Sequence, residues 1–463
     1  MRMVRAVLGA TTAAVLAGAC GGSPAAVPAD APGAAGLDGA LDAPAPHDAG
    51  PSPDDSDYMF DPTVIRELAL EIPPASWASI NAEAGVDLDD PHDLTTWWSI
   101  CQYQLWPRAY YAAALEFEGQ RFEGVGVHVK GGCRSSRLLE QKPALSINLE
   151  WDDPDVEGCP AQRRLHGLKK LVLNNMVEDP TYIREALGYG LLRQLGVPAP
   201  RTAYYKLTIN GEYVGLYLMV EASTRQFFER WSDEGDGMAY EVGHPYCAIE
   251  AGDVGAGGCF EQEFHAGPCY TPDADDDPRD WTLLEDLAAR IQALPAGPGF
   301  DAAFAQVFDR ERYLGARGAA VALHHFDSMF WNTENNYAVY HHPPSDRWTV
   351  FQQGLDTSMS ELFVPDPITW TTVNRVDELC DASATCRAGY LERIEAALQI
   401  FESTAFADEA TRLHELLWPD IADDPRRQYV DAPGIETDAD FLQAYQDLRS
   451  WMLTWPGRVR ASM

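Results

Sequence analysis

The chain has 463 residues, with 71 acidic against 34 basic side chains and a formal net charge of −37. So large an acidic excess leaves no basic patch to neutralise phosphates, which excludes nucleic acid as a partner. It fits solubility through self-repulsion, and an acidic surface also attracts basic partner proteins.

Residues 1–20 read as an export signal. Arg2 and Arg5 give a basic start, Ala6 to Leu16 form an apolar run too short to span a bilayer, and Ala17-Gly18-Ala19 leads into Cys20. Small residues directly before a cysteine predict lipoprotein processing, with Cys20 as the lipidated N-terminus. The leucine stands one place further upstream than in the commonest lipobox, so cleavage with release is the competing reading. The expectation is an exported, membrane-anchored lipoprotein of the bacterial cell envelope. Residues 21–57 are dominated by Ala, Pro, Gly and Asp and cannot bury enough surface to offset ordering entropy, which predicts a disordered tether. Folded sequence begins near Tyr58, and 58–463 reads as one domain.

Beyond Cys20 lie Cys101, Cys133, Cys159, Cys247, Cys259, Cys269, Cys380 and Cys386, an even number that suits disulfides in an exported chain. Cys380 and Cys386 close a short loop and are the best single pair. No Cys-x-x-Cys spacing supports zinc.

In chain order, Ile65 to Ile72 reads as a strand, and Pro73-Pro74 opens a helix through Glu83. Ala113 to Phe117 and Gly124 to Lys130 are strands joined by a turn at Gly119. Leu145 to Leu149 and Leu171 to Leu173 are further strands. Asp179-Pro180 predicts a capped helix with Ile183, Leu187, Leu191 and Leu195 on one face, ended by Gly196 and Pro198. Tyr204 to Ile209 and Glu212 to Val220 flank Asn210-Gly211, a type I′ hairpin signal. Beyond about residue 280 the pattern is mainly helical. The class is α+β.

The segment Leu168-Lys169-Lys170-Leu171-Val172-Leu173-Asn174-Asn175, with Asp179-Pro180 and its helix, resembles the core block of the CotH family of atypical protein kinases. So do Gly196 to Thr202, the hairpin Ile209 to Tyr217 and Glu221. Upstream, Gly126 to Gly132 and Lys142-Pro143 are similar to the family's glycine-serine loop and basic strand. Downstream, Asp327 to Tyr340 and Gly354-Leu355-Asp356 are similar to its catalytic and metal-binding segments. The resemblance runs from about residue 60 to the end. It implies a divergent two-lobed protein-kinase-like fold, β-rich first and mainly helical after, and metal-dependent transfer of phosphate from ATP to serine or threonine of a protein on the envelope or outside the cell.

Phosphoryl transfer needs a carboxylate to orient the attacking hydroxyl, oxygen ligands for Mg²⁺ or Mn²⁺, and a cation on the phosphates. Asp327 and Asn332 stand at the Asp-x-x-x-x-Asn spacing kinases use for catalytic base and metal ligand. The competing reading makes Asp327 a helix-end cap. Asp356, after the strand-like run Trp348 to Phe351, suits a metal ligand. Here the sequence departs from the family pattern of tryptophan-acid-x-acid, because Gln353-Gly354-Leu355-Asp356 places a glycine at one acid. Glu334 and Asn336 are the residues that could compensate.

Lys130 and Lys142 are the candidate phosphate-contacting cations, and Gly131 to Ser136 a candidate source of backbone amides. Exposed strand lysines are the competing reading. Glu185 would pair with a lysine as kinases require, unless it is a solvated helix-surface residue. Asp273, Asp275 and Asp277 lack the glycine and distal glutamate of a calcium loop, and the paired histidines at 324–325 and 341–342 point apart. The leading expectation is an ATP- and metal-dependent kinase. Its rivals are a catalytically inactive kinase-like scaffold and a metal-dependent hydrolase using Asp327 and Asp356.

Overall fold

The computed structural model describes residues 55–84, 108–132, 135–151, 163–232, 235–242, 270–272, 281–331, 335–361, 366–370, 374–430 and 435–463. Cys20 and the export signal, most of the 21–57 tether, Asn332, Glu334, the Asp273 to Asp277 run and six of the cysteines (Cys101, Cys133, Cys159, Cys247, Cys259, Cys269) lie outside those residues.

The first half is β-rich. Strand β1 (Ile65–Glu71), helix α1 (Pro74–Glu83) and strands β2 (Tyr111–Phe117), β3 (Gln120–Lys130), β4 (Ala144–Asn148) and β5 (Lys170–Asn174) precede helix α2 (Arg184–Gln194). The hairpin β6 (Thr202–Ile209) and β7 (Glu212–Val220) follows. These strands close a barrel in the order β1-β2-β3-β4-β5-β7-β6, sealed by a parallel β6–β1 pairing. Alternation explains it: Val127, Val129, Leu145, Ile147, Leu171, Leu173, Tyr205, Leu207, Tyr217 and Met219 fill the interior. The intervening Tyr204, Leu216 and Leu218 pack outward against the helical half. That double burial is why β6 and β7 read as nearly continuous apolar runs. Asn210 and Gly211 take φ of 52° and 81°, as a type I′ turn requires. The Asn210 amide also bonds both the N–H and the carbonyl of Ile72, at 2.7 and 3.1 Å.

The second half holds α3 (Arg225–Ser232), β8 (Ala239–Val242), β9 (Tyr270–Pro272), α4 (Thr282–Gln292), α5 (Phe300–Val307) and α6 (Arg310–Ala322). Then come β10 (Tyr337–His342), β11 (Arg347–Gln352), a 3₁₀ turn at Leu355–Thr357, α7 (Arg375–Ala382), α8 (Ala384–Phe401), α9 (Thr404–Ala422) and α10 (Asp438–Ser462). A small sheet in the order β11-β10-β8-β9 sits among the helices. Cys380 and Cys386 form a disulfide between α7 and α8, the pairing their spacing suggests. The α+β class, strands first and helices after, is as expected.

One element begins later than its sequence suggests. Asp179-Pro180 does not open α2 but a tight turn before it. The Asp179 carboxylate accepts from Thr181 N and Oγ1 at 2.9 and 2.6 Å and from Arg184 N at 2.8 Å, while Tyr182 takes φ of 63°. The helix proper starts at Arg184. Its other end is as expected: Gly196 has φ of 72°, and Val197 N donates to Leu192 O at 3.0 Å, a Schellman closure.

The two halves are joined by buried charge. Lys142, just before β4, is wholly buried; its ammonium pairs with Asp424, just past α9, and donates to Tyr182 Oη at 2.8 Å. Asp424 also accepts from Leu216 N at 3.0 Å and Arg426 N at 2.8 Å. Arg426 in turn donates to Leu139 O and Gln141 O at 2.7 and 2.6 Å. Breaking one side of a buried pair strands the other charge, so Lys142→Met should cost about 3–5 kcal/mol in urea unfolding. Combining it with Asp424→Asn, which removes the stranded charge but keeps an acceptor for only one of the Leu216 and Arg426 amides, should recover part of that loss. A single variant as stable as the parent would show that the pair does not clamp the halves.

Candidate active site

Four segments converge beside the barrel. Lys130 is the last residue of β3 and lies on its outer face, since Val127 and Val129 point inward. Asn174 ends β5 on the same outer face. Glu185 lies in the first turn of α2, and Asp356 in the 3₁₀ turn after β11. Helix α2 packs on that turn so closely that a Cβ on Gly188 would meet Leu355 Cδ1 at 2.8 Å.

Glu185 is buried, not solvated. Its Oε2 accepts from Asn174 Nδ2 at 2.6 Å and its Oε1 from Tyr189 Oη at 3.0 Å. Asn174 Oδ1 accepts from the Lys130 ammonium, so the amide stands between cation and anion. The hydroxyl of Tyr189 faces the Gly354 amide. Lys130, Asn174 and Asp356 are half-buried, at the mouth of this cluster.

Burial pushes the Glu185 carboxyl well up, reinforced by the charge of Asp356 and opposed by Lys130. Burial also raises Asp356, with Asp179 adding to the effect, Lys130 opposing it and Asp327 adding a smaller push. The same burial lowers Lys130, against the pull of Glu185, Glu241 and Asp356. Lys130, with Lys170 the further cation in its field, therefore sits among Glu185, Glu241 and Asp356, and the negative charge is under-compensated.

Asp327 follows α6 by a short loop and is half-buried. Asn336 Nδ2 donates to its Oδ2 at 2.6 Å and to its backbone carbonyl at 2.9 Å, and Asn335 Nδ2 reaches the carboxylate at 3.3 and 3.4 Å. Gln353 N donates to Asn336 O at 2.8 Å, which lays the Asp327 loop against the segment carrying Asp356. The two carboxylates named from sequence thus share one site. Gly354 is left-handed, with φ of 56° and ψ of 53°, and a Cβ there would meet Asn336 Oδ1 at 2.6 Å. The amide of Asn336 fills the space that a side chain at position 354 would need.

The other sequence candidates lie elsewhere. Lys142 is committed to Asp424 inside the clamp described above, not to the mouth of this cluster. In the Gly131 loop, the amides of Ser135 and Ser136 are spent on Gly132 O at 3.2 and 3.0 Å rather than turned outward. His324 packs on Trp455, ring centroids 4.4 Å apart, and burial holds His325 neutral with its pKa lowered to about 3. Sequence reasoning gave no role to Asn174, Tyr189 or Glu241. Asn174 and Tyr189 stood in recognised segments, yet only the fold shows which atoms they meet.

Among the described residues no group of three His, Cys, Asp or Glu side chains converges to hold a metal unaided. Mg²⁺ usually keeps several waters and takes one or two carboxylates plus substrate phosphates. Asp356, Asp327 and the Asn336 amide oxygen are hard donors of that kind, and the under-compensated negative charge around Lys130 favours a divalent cation.

Residues 127–454 match the CotH kinase protein family, and the chain belongs to that family. Over 60 residues, 13% of this chain and 20% of the relative, it is 42% identical to an inner spore coat protein H-like protein of Bacillus subtilis. Over 310 residues it is 24% identical to invasin CotH2 of Rhizopus delemar, covering 60% of this chain and 48% of that one. The chain therefore spans less than half the length of either relative. Among solved structures, the Helicobacter pylori proinflammatory kinase CtkA aligns over 64% of this chain and 92% of its own, at 10% identity and a TM-score of 0.23.

A carboxylate whose folded pKa is raised costs stability above its unfolded value, and the cost is complete once pH exceeds the folded value. For Asp356, with its folded pKa raised to about 6, that window opens near pH 4 and closes above about pH 6. Asp356→Asn should therefore gain about 1 kcal/mol at pH 7.5 in EDTA, after allowance for screening of a half-buried group, and gain nothing near pH 3.5. Thermal unfolding at the two pH values checks this. An equal effect at both would remove the electrostatic account of the site.

Proposed function

We propose that this chain is an atypical protein kinase that transfers the γ-phosphoryl group of ATP to a serine or threonine of an exported or envelope protein. The observation that carries the reading is the meeting of Asp327 and Asp356, from loops separated by a strand hairpin, beside Lys130 and Glu185. The acceptor hydroxyl oxygen would form its bond to the γ-phosphorus as the bond to the ADP oxygen breaks, and Asp327 would take the hydroxyl proton. Asn336 holds the Asp327 carboxylate in one orientation through its two donated bonds. Lys130 would lie on the phosphates.

Asp356 and Asn336, with Asn332, would hold Mg²⁺ or Mn²⁺, whose chemistry here is charge neutralisation on the phosphates. Asn336 occupies the place of the acid missing at Gly354, so the donor set keeps an oxygen there in neutral form. The export signal and Cys20 would place the enzyme at the membrane by a lipid anchor. No helix of the described residues is long and apolar enough to cross a bilayer.

A second reading has an observation of its own. With one family acid replaced by Gly354, the same fold could serve as an inactive binding scaffold. Incubating the purified protein with labelled ATP, Mn²⁺ or Mg²⁺ and a serine-rich basic acceptor separates them. The kinase reading expects acceptor labelling that Asp327→Ala lowers by roughly 100-fold or more, in the range of a lost general base. Absence of labelling, together with no rise in melting temperature on adding nucleotide, would favour the scaffold. Phosphate release independent of acceptor would favour hydrolysis.

A further inference from the structure

The link between Lys130 and Glu185 runs through a neutral side chain, and we propose that Asn174 is the positioning residue that sets Lys130 for its phosphate. This rests on reading Lys130 as the phosphate-contacting cation.

The geometry begins with strand order. Lys130 pairs with Ala144 of β4, and Leu145 pairs with Leu173 of β5, which puts Ala144 beside Asn174. Lys130 and Asn174 are therefore two strands apart on one outer face, with only a methyl group between them. At 4.7–4.9 Å per strand the backbones are separated by roughly 9–10 Å, a gap that a lysine and an asparagine together close. Ala144 is fully covered, and any larger residue there would stand in the path of the lysine stem.

The chemistry of the bridge is specific to an amide. Asn174 must accept from an ammonium and donate to a carboxylate at the same time. A primary amide offers one acceptor and two donors on a short rigid fork, and its partners fix which end is oxygen. An aspartate would add a further negative charge against Glu185, and a serine would be too short. Both oxygens of Glu185 are already engaged, one by Asn174 and one by Tyr189, so the glutamate acts on Lys130 through the amide. Tyr189 carries the chain onward to the amide of Gly354, two residues before Asp356. Asn174 thus ties the cation on the barrel to the loop holding the candidate metal ligand.

Two measurements test the assignment, one with ATP and one without. In transfer kinetics, Asn174→Ala should raise KM for ATP roughly tenfold, the value of a charge-assisted hydrogen bond, and leave KM for the acceptor protein unchanged. Adding Lys130→Ala to it should cost much less than Lys130→Ala costs in the parent. Asn174→Gln, which retains the amide, should recover part of the loss.

Without nucleotide, Lys130 should react with an amine-directed ester several-fold faster in Asn174→Ala than in the parent, read by peptide mass spectrometry with Lys206 as internal control. Ala144→Leu should release Lys130 in the same assay. Unchanged labelling of Lys130 in Asn174→Ala, or fully additive kinetic losses with Lys130→Ala, overturns the proposal. If labelling changes as expected while the parent transfers no phosphate, the bridge stands and the kinase reading falls.

Discussion

Everything at the candidate site follows from placing several carboxylates around Lys130, with Lys170 also in its field, in surroundings that water reaches poorly. An ion pair in such a place gains little net stability, because desolvation offsets most of the Coulomb term. Here the balance is worse than even: Glu185, Glu241 and Asp356 act on Lys130 against the further cation Lys170, and Asp327 adds its charge at Asp356. Folding alone has no use for that excess. On the proposed function it becomes intelligible, since a divalent cation carried with a triphosphate would supply the missing positive charge. The cost is tolerable because other parts of the molecule are firmly held.

The firmest of these is the clamp at Lys142 and Asp424. Two lysines lie close in sequence at the same edge of the barrel, yet they serve opposite ends. Lys142 is enclosed, its charge matched one to one and its remaining bond given to Tyr182. Lys130 is left at a mouth, matched only through an amide and outnumbered by acids. The first arrangement suits a joint between halves, where full pairing and exclusion of water hold geometry. The second suits a site, where incomplete pairing leaves capacity for a ligand. Since Tyr182 opens the segment leading into α2, the joint also fixes the helix that carries Glu185 and Tyr189.

Much of this was legible in the sequence, for physical reasons that can be named. The strands of the barrel announced themselves because each has one face in the core, and the hairpin at Asn210-Gly211 because its turn demands positive φ. Asp327 and Asp356 were named from spacing and resemblance, and the fold brings the two close to each other. What failed to show is what depends on distant partners. Asp179-Pro180 has the composition of a helix start, but the carboxylate binds the amide of Arg184, so the turn precedes the helix instead of opening it. Strands β8 and β9 have four and three residues, too short for any periodicity; β8 exists because β10 supplies a neighbour, and β9 because β8 does. Lys130 and Lys142 look alike in sequence; only the position of Asp424, far along the chain, tells them apart. Asn174 looked like a polar residue at the end of a buried strand.

A glycine at 354, where the resemblance leads one to expect an acid, reads in sequence as a loss. In the fold, its left-handed backbone brings the chain against Asn336, and the amide of that residue takes up the space and holds Asp327 as well. An acid at 354 would need a β-carbon where Asn336 Oδ1 lies, and would add one more negative charge to a site already short of positive ones. The glycine and the asparagine are thus two sides of one arrangement: a neutral oxygen stands where a side chain at 354 would add another negative charge. On the proposed kinase reading, such a neutral donor would pull more weakly on a divalent cation, and the phosphates would have to bring more of the cation's binding with them.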